Sequence, residues 1–179
     1  MMQKTKFEIV TIDEWNRCLS HFATSGKQRE MLFWQQYNSD YSTIKIPRRA
    51  TKYSAGYDFF LPCDIVIHPG EVITIPTGIK WNAGLEKDCK FLAIYPRSSL
   101  GRDYCLREPN IVSIIDADYY GNETNEGHIM INLKNEGTNG EVKLHRGDAY
   151  AQGIIQMYFL AEEEPVTAVR TGGFGSTNK

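Results

Sequence analysis

From Thr43 onward the chain is a succession of short apolar runs broken by turn residues, and this pattern excludes most architectures. Ile65-Val66-Ile67 is followed by His68-Pro69-Gly70-Glu71 and then by Val72-Ile73-Thr74-Ile75. Further runs are Gly78-Ile79-Lys80-Trp81, Phe91-Leu92-Ala93-Ile94-Tyr95, Ile111-Val112, Ile129-Met130-Ile131-Asn132-Leu133 and Ile154-Ile155-Gln156-Met157-Tyr158-Phe159-Leu160. Short segments rich in β-branched and aromatic residues, with Gly, Pro, Asn and Asp between them, predict an all-β barrel or sandwich. They do not alternate with long helices, which disfavours a doubly wound nucleotide fold.

The first forty or so residues differ in texture. Between Ile12 and Tyr41, Trp15, Cys18, Leu19, Phe22, Met31, Leu32, Phe33 and Trp34 are scattered among polar residues. Thr11 or Asp13 offers a helix cap, and Gly26 separates a first amphipathic helix from a second. The expected organisation is an N-terminal helical extension over 1–42, a β core over 43–163 and a flexible glycine-rich tail over 164–179.

Composition narrows the partners. The chain has 179 residues, 41% of them hydrophobic, which is ample for one buried core. A net charge of −2, with no basic block, argues against duplex nucleic acid as a ligand but leaves room for a free nucleotide. No apolar run approaches a membrane span, and no signal-peptide pattern follows Met1, so a cytoplasmic location is expected. Cys18, Cys63, Cys89 and Cys105 are widely spaced and form no C-x-x-C, which reads as reduced thiols. His21, His68, His128 and His145 do not complete a zinc-ligand spacing with them.

Four segments carry residues suited to chemistry. Pro96-Arg97-Ser98-Ser99-Leu100-Gly101 follows a strand and gathers a guanidinium fork and two hydroxyls, which suits a polyphosphate. A turn with a surface Arg explains it equally well. In Ile114-Ile115-Asp116-Ala117-Asp118-Tyr119-Tyr120-Gly121, a carboxylate after an apolar run can orient water, and an adjacent ring can lie against a sugar; a polar β-turn is the alternative. If the segment is extended, Asp116 and Asp118 point to opposite faces. Within Ala55-Gly56-Tyr57-Asp58-Phe59-Phe60, Asp58 is costly unless it is paired, bonded to backbone N–H groups or near a metal. Gln152, after Gly147-Asp148, can both donate and accept.

The closing segment Arg170-Thr171-Gly172-Gly173-Phe174-Gly175-Ser176-Thr177-Asn178-Lys179 combines flexible backbone, phosphate donors and one aromatic ring. Glycine lets N–H groups crowd an anion, Arg170, Ser176 and Thr177 suit phosphate oxygens, and Phe174 can cover a base. It is no P-loop, because no Lys follows the last Gly and no helix lies beyond. Taken alone, a mobile terminus explains it as well as a lid.

The order of these motifs resembles the homotrimeric dUTPase family, whose members carry five motifs in this succession. The likeness runs from about Ile44 to the C-terminus, and the stretch from Asn122 to Gly127 is most similar to phage and Gram-positive members. The resemblance implies a jelly-roll-like β-barrel and hydrolysis of dUTP to dUMP and pyrophosphate, which limits uracil incorporation into DNA. It implies that Asp116 activates water, that Tyr119 lies under the deoxyribose, and that Asn110 reads uracil beside a hairpin. Arg97, Ser98, Ser99 and Gln152 take phosphate positions, and Arg170, Phe174, Ser176 and Thr177 form a lid supplied by a neighbouring subunit. Mg2+ is implied as a clamp on the triphosphate, held mainly through waters, with Asp58 at one remove and no direct protein ligand. Ser113 replaces a usual Gly in the hairpin, and Ala149 a usual Arg in the fourth motif. Two rivals remain: a dUTPase-like nucleotide sensor with a regulatory protein partner, and a dCTP deaminase. The deaminase needs a Glu where this chain has Asn132, and Asn does not shuttle a proton.

Overall fold

The computed structural model describes residues 5–24, 40–84 and 89–162. The tail residues Arg170, Phe174, Ser176 and Thr177, and the second helix expected after Gly26, lie outside them. The strands are β1 (Lys6–Ile9), β2 (Tyr57–Phe60), β3 (Ile65–Ile67), β4 (Val72–Pro76), β5 (Ile79–Asn82) and β6 (Lys90–Pro96). They continue as β7 (Leu106–Arg107), β8 (Ser113–Asp116), β9 (Met130–Asn135), β10 (Val142–Leu144) and β11 (Ala149–Met157). Two helices accompany them among the described residues, α1 (Ile12–Thr24) and α2 (Ser98–Tyr104).

All strand pairings among the described residues are antiparallel. They build a four-stranded sheet β2-β11-β6-β8, a three-stranded sheet β4-β9-β7, and the ribbons β1-β5 and β10-β3. The hydrogen-bonded ladder is therefore a set of open sheets in a jelly-roll-like arrangement and not one closed barrel. Alternation decides which faces turn inward: β9 reads half-buried and buried in strict turn, and β5 and β8 alternate likewise. One core results, with Trp15, Phe59, Leu61, Trp81, Leu92, Ile94 and Tyr150 among its largest buried side chains.

Several local expectations are revised. Lys6–Ile9 forms a strand that pairs with β5, so the N-terminal segment enters the sheet system before its helix begins. Thr11 proves to be the cap: its Oγ1 accepts the Glu14 N–H at 3.2 Å. Trp15 and Cys18 then bury one face of α1 in the common core. Ile111 is not in a strand. It sits at φ 69° and is 83% exposed, because the chain reverses there between β7 and β8. The segment after Arg97, read as a turn, is the helix α2, anchored by buried Leu100 and ended by Cys105 in the left-handed region. The cysteines are free thiols. Burial pushes Cys18 and Cys63 up to about 12, so both are inert in the core.

Candidate active site

Three motifs far apart in sequence meet at one end of the four-stranded sheet. In register, Gln152 on β11 lies opposite Asp58 on β2 and opposite Tyr95 on β6. Arg97 follows the end of β6, and its Nε stands 3.7 Å from Asp58 Oδ1. The partner of Asp58 is thus a guanidinium, which accounts for a carboxylate inside a largely apolar strand. An Arg side chain has five N–H donors, so one carboxylate leaves it able to grip a further anion.

The backbone around this cluster explains two neighbours. A Cβ on Gly56 would stand only 2.5 Å from Gln152 Oε1, so glycine is what lets the chain pass against that amide. The pairing of β11 with β2 shifts between Ala149 and Ala151, at Tyr150. The Tyr150 carbonyl accepts the Arg97 N–H at 3.2 Å and so fixes where the segment that begins at Arg97 leaves β6. Its side chain is wholly buried, its hydroxyl has no partner among the described residues, and burial holds the phenol well above its ordinary range. Ser98 is exposed and Ser99 half-buried, both in the first turn of α2.

The remaining motif lies elsewhere. Asp116 ends β8, is exposed, and pairs with Phe91 at the opposite end of β6 from Arg97. Six residues of extended chain at ~3.4 Å each separate Phe91 from Arg97 by about 20 Å. Ala117–Tyr119 forms a single 3-10 turn, so the condition of an extended segment, under which Asp116 and Asp118 would point to opposite faces, is not met. Tyr119 is only 3% exposed, and its hydroxyl donates to the His128 carbonyl at 3.3 Å. The loop between β7 and β8, which pair with different strands, carries Asn110, which is exposed, and is braced from inside by Glu108. That buried carboxylate accepts the Asn110 N–H at 2.7 Å and the Ser113 hydroxyl at 2.9 Å. Glu108 was not singled out in the sequence; the signal available was a Glu directly before Pro109-Asn110. The Ser113 side chain supplies the second of these bonds.

Among the described residues no three His, Cys, Asp or Glu side chains converge as a metal cage. The donor set at the Asp58–Arg97–Gln152 end is one carboxylate, one guanidinium and one amide. That suits a cation arriving on a polyphosphate with its own waters and not a resident ion. No described helix is long and apolar enough to cross a membrane.

An antiparallel jelly-roll-like fold with a carboxylate, a guanidinium and an amide gathered at one sheet end and an exposed carboxylate closing β8 at the other places the chain in a small class of all-β proteins able to hold an anion. The family described as dUTPase matches residues 42–178, and the chain belongs to it. It is 41% identical over 138 residues to the deoxyuridine 5'-triphosphate nucleotidohydrolase of Lactococcus lactis, covering 75% of this chain and 88% of that one. The Pseudomonas fluorescens counterpart is 38% identical, covering 73% and 85%. The crystal structure of dUTPase from Streptococcus mutans superposes with a TM-score of 0.63 at 29% identity, covering 88% of this chain and 98% of that one. A dUTPase from phage phi11 of S. aureus, whose structure concerns coordination of a structural Mg(II) ion, shares the fold at TM-score 0.56 and 21% identity, covering 70% and 92%.

Proposed function

We propose that this chain hydrolyses dUTP to dUMP and pyrophosphate. The observation that carries the reading is the meeting of Asp58, Arg97 and Gln152 from three separate motifs at one sheet end, in a chain of this family. Arg97, Ser98, Ser99 and Gln152 grip the triphosphate. Asp116 takes a proton from the water that attacks the α-phosphorus, and the electron pair of the breaking P–O bond leaves with pyrophosphate. Asn110 and the backbone of its loop read the uracil edge, with Glu108 holding the loop in shape. Cytosine would leave donors facing donors there, a mismatch that a hydrogen-bonding site rejects strongly. Tyr119 walls the sugar side. Mg2+, when bound, neutralises triphosphate charge and fixes its conformer; Asp58 is the carboxylate placed to accept hydrogen bonds from its waters.

The separation of Asp116 from Arg97 supports a site shared between copies, as a homotrimer provides. Apolar residues beside Asp116 support this as well: Ile114, Met157, Phe159 and Leu160 are all exposed on the single chain, around Phe91 and Tyr158. In this reading residues 164–179 are the tail, and Arg170, Phe174, Ser176 and Thr177 close over a neighbour's nucleotide. The stretch 122–127 supports a likeness to phage and Gram-positive members. Pyrophosphate release from dUTP, dCTP, dTTP and UTP, with and without Mg2+, tests the whole. The expected result is metal-dependent turnover of dUTP alone; tight dUTP binding without turnover would instead make the chain a nucleotide sensor. Truncation before Gly172 should abolish efficient hydrolysis and leave the thermal midpoint unchanged.

A further inference from the structure

The N-terminal arm, residues 5–24, grips the back of the turn that carries Tyr119. Tyr120 Oη donates to Glu8 Oε2 of β1 at 2.6 Å. At the start of α1, the Thr11 N–H donates to Glu126 Oε2 at 3.2 Å, and the Thr11 hydroxyl donates to the other oxygen of that carboxylate. Lys80 Nζ closes on the same group at 2.8 Å. One turn further along α1, buried Glu14 meets His128 Nδ1 at 3.0 Å. His128 Nε2 accepts the Gly78 N–H at 2.8 Å, so the ring proton resides on Nδ1 and is donated to Glu14.

Between these anchors runs the loop Asn122–Gly127, and it touches Tyr119 directly. Asn125 Nδ2 donates to Tyr119 Oη at 2.5 Å, while Asn125 Oδ1 accepts the Gly127 N–H at 3.1 Å. Both ends of the carboxamide are therefore in use and its orientation is fixed. Gly127, at φ 82°, passes so near the Tyr119 carbonyl that any Cβ would collide with it. With Tyr119 almost wholly covered, the plane and depth of its ring are set by what lies behind it.

We propose that Asn125, held by the N-terminal arm through Glu126 and His128, is a positioning residue that sets the depth of the Tyr119 ring and with it the rejection of ribonucleotides. This rests on the reading of Tyr119 as the sugar-side wall. A 2'-hydroxyl needs the room of one oxygen atom, so a ring free to settle back by a fraction of an ångström admits what a tethered ring refuses.

The test is the ratio of kcat/KM for dUTP to that for UTP, a quantity that a uniform loss of stability does not move. Asn125→Ala should lower the ratio about tenfold, the scale of one buried hydrogen bond. Tyr119→Phe, which removes the hydroxyl with both its Asn125 bond and its bond to the His128 carbonyl, should lower it at least as much, and adding Asn125→Ala should lower it no further. Glu126→Ala should shift it in the same direction by less. Thermal melting identifies any variant that fails to fold, and Tyr119→Phe keeps the test alive if Asn125→Ala is one. An unchanged ratio in Asn125→Ala and Tyr119→Phe, with discrimination lost in Tyr119→Ala, overturns the proposal and leaves the wall reading intact. An unchanged ratio in Tyr119→Ala removes the wall reading and the proposal with it.

Discussion

Gly56→Ala separates what the phosphate end of the site does from what holds the fold together. The new Cβ would stand 2.5 Å from Gln152 Oε1, 3.1 Å from Gln152 Cβ and 3.3 Å from Gln152 Cδ. The worst of these contacts is with the far end of a flexible side chain, which swings aside at little cost. Gly56 is not among the glycines at positive φ, so alanine accepts its backbone conformation. A Gly-to-Ala change at a compatible site gains about 0.4–1 kcal/mol through the unfolded chain, which offsets the tight Gln152 Cβ contact. Stability should therefore stay within about 1 kcal/mol of the parent.

Activity should not. In the proposed reading a displaced Gln152 amide no longer meets the phosphate, and a hydrogen bond to a charged group is worth about 1.5–3 kcal/mol. At about 1.4 kcal/mol per decade, kcat/KM for dUTP should fall roughly ten- to hundredfold. Pyrophosphate release under first-order conditions reads this loss, and thermal unfolding reads the stability. In a Gln152→Ala background the same glycine change should cost almost nothing further, since the group it displaces is gone. A parent-like kcat/KM in Gly56→Ala, or an equal loss in both backgrounds, would refute the reasoning.

Asp116→Asn should lose at least ~10³-fold in turnover while still binding dUTP, the size expected of a removed general base; calorimetric binding alongside turnover checks it, and a fully active variant would reassign the base. Tyr150→Phe removes a buried hydroxyl with no partner among the described residues, so it should leave stability unchanged or raise it by up to about 1 kcal/mol; a loss of more than that in urea titration would reveal a partner the hydroxyl relies on. Burial pushes the Glu126 carboxyl up, but bonds from Lys80 and Thr11 outweigh it and hold the group below the usual carboxylate range. A lowered carboxylate contributes stability that is complete above its unfolded pKa of about 4.3 and is lost as pH falls through the folded value. Urea midpoints taken down through that window should fall less steeply in Glu126→Gln than in the parent, and parallel curves would dismiss the contribution.

The strands were legible where alternation or a turn signal was strong. β3, β4, β5, β6 and β9 coincide closely with the apolar runs, because each buries one face or lies centrally. β1 was missed, since four residues in a polar stretch show no period and gain a partner only through β5, some seventy positions away. α2 was missed because Pro96 before Ser-Ser-Leu-Gly carries turn chemistry, and the helix is stabilised by Leu100 reaching the core. Motif order pointed to Asp58, Arg97 and Gln152, but their meeting depends on the order β2-β11-β6, which no local pattern encodes. Glu108 escaped notice, and the structural roles of Asn125, Glu126 and His128 were not legible, for a related reason. Single polar residues in loops carry no periodicity, and their roles emerge only from what the fold sets against them.

β6 acts as a ruler, and its length bears on how many chains make one site. Arg97 lies beyond one end and Asp116 beside the other, about 20 Å apart along the strand, too far for one triphosphate to meet both in the same chain. If the site is completed between copies, two variants that are each inactive should rescue one another when mixed. Arg97→Ala lacks the phosphate grip and Asp116→Asn lacks the base. In a randomly mixed symmetric oligomer, a site drawing each residue from a different chain is intact in roughly a quarter of cases. Unfolding and refolding the two proteins together should thus return about a quarter of parental pyrophosphate release, while either alone stays inactive. The exposed Ile114, Met157 and Phe159 give the copies an apolar surface to meet on, so a polar change such as Phe159→Asp should abolish the rescue and the association together. Failure of the mixture to regain activity, with mixed oligomers demonstrably formed, would mean that Asp116 and Arg97 serve separate sites and that the hydrolytic reading assigns at least one of them wrongly.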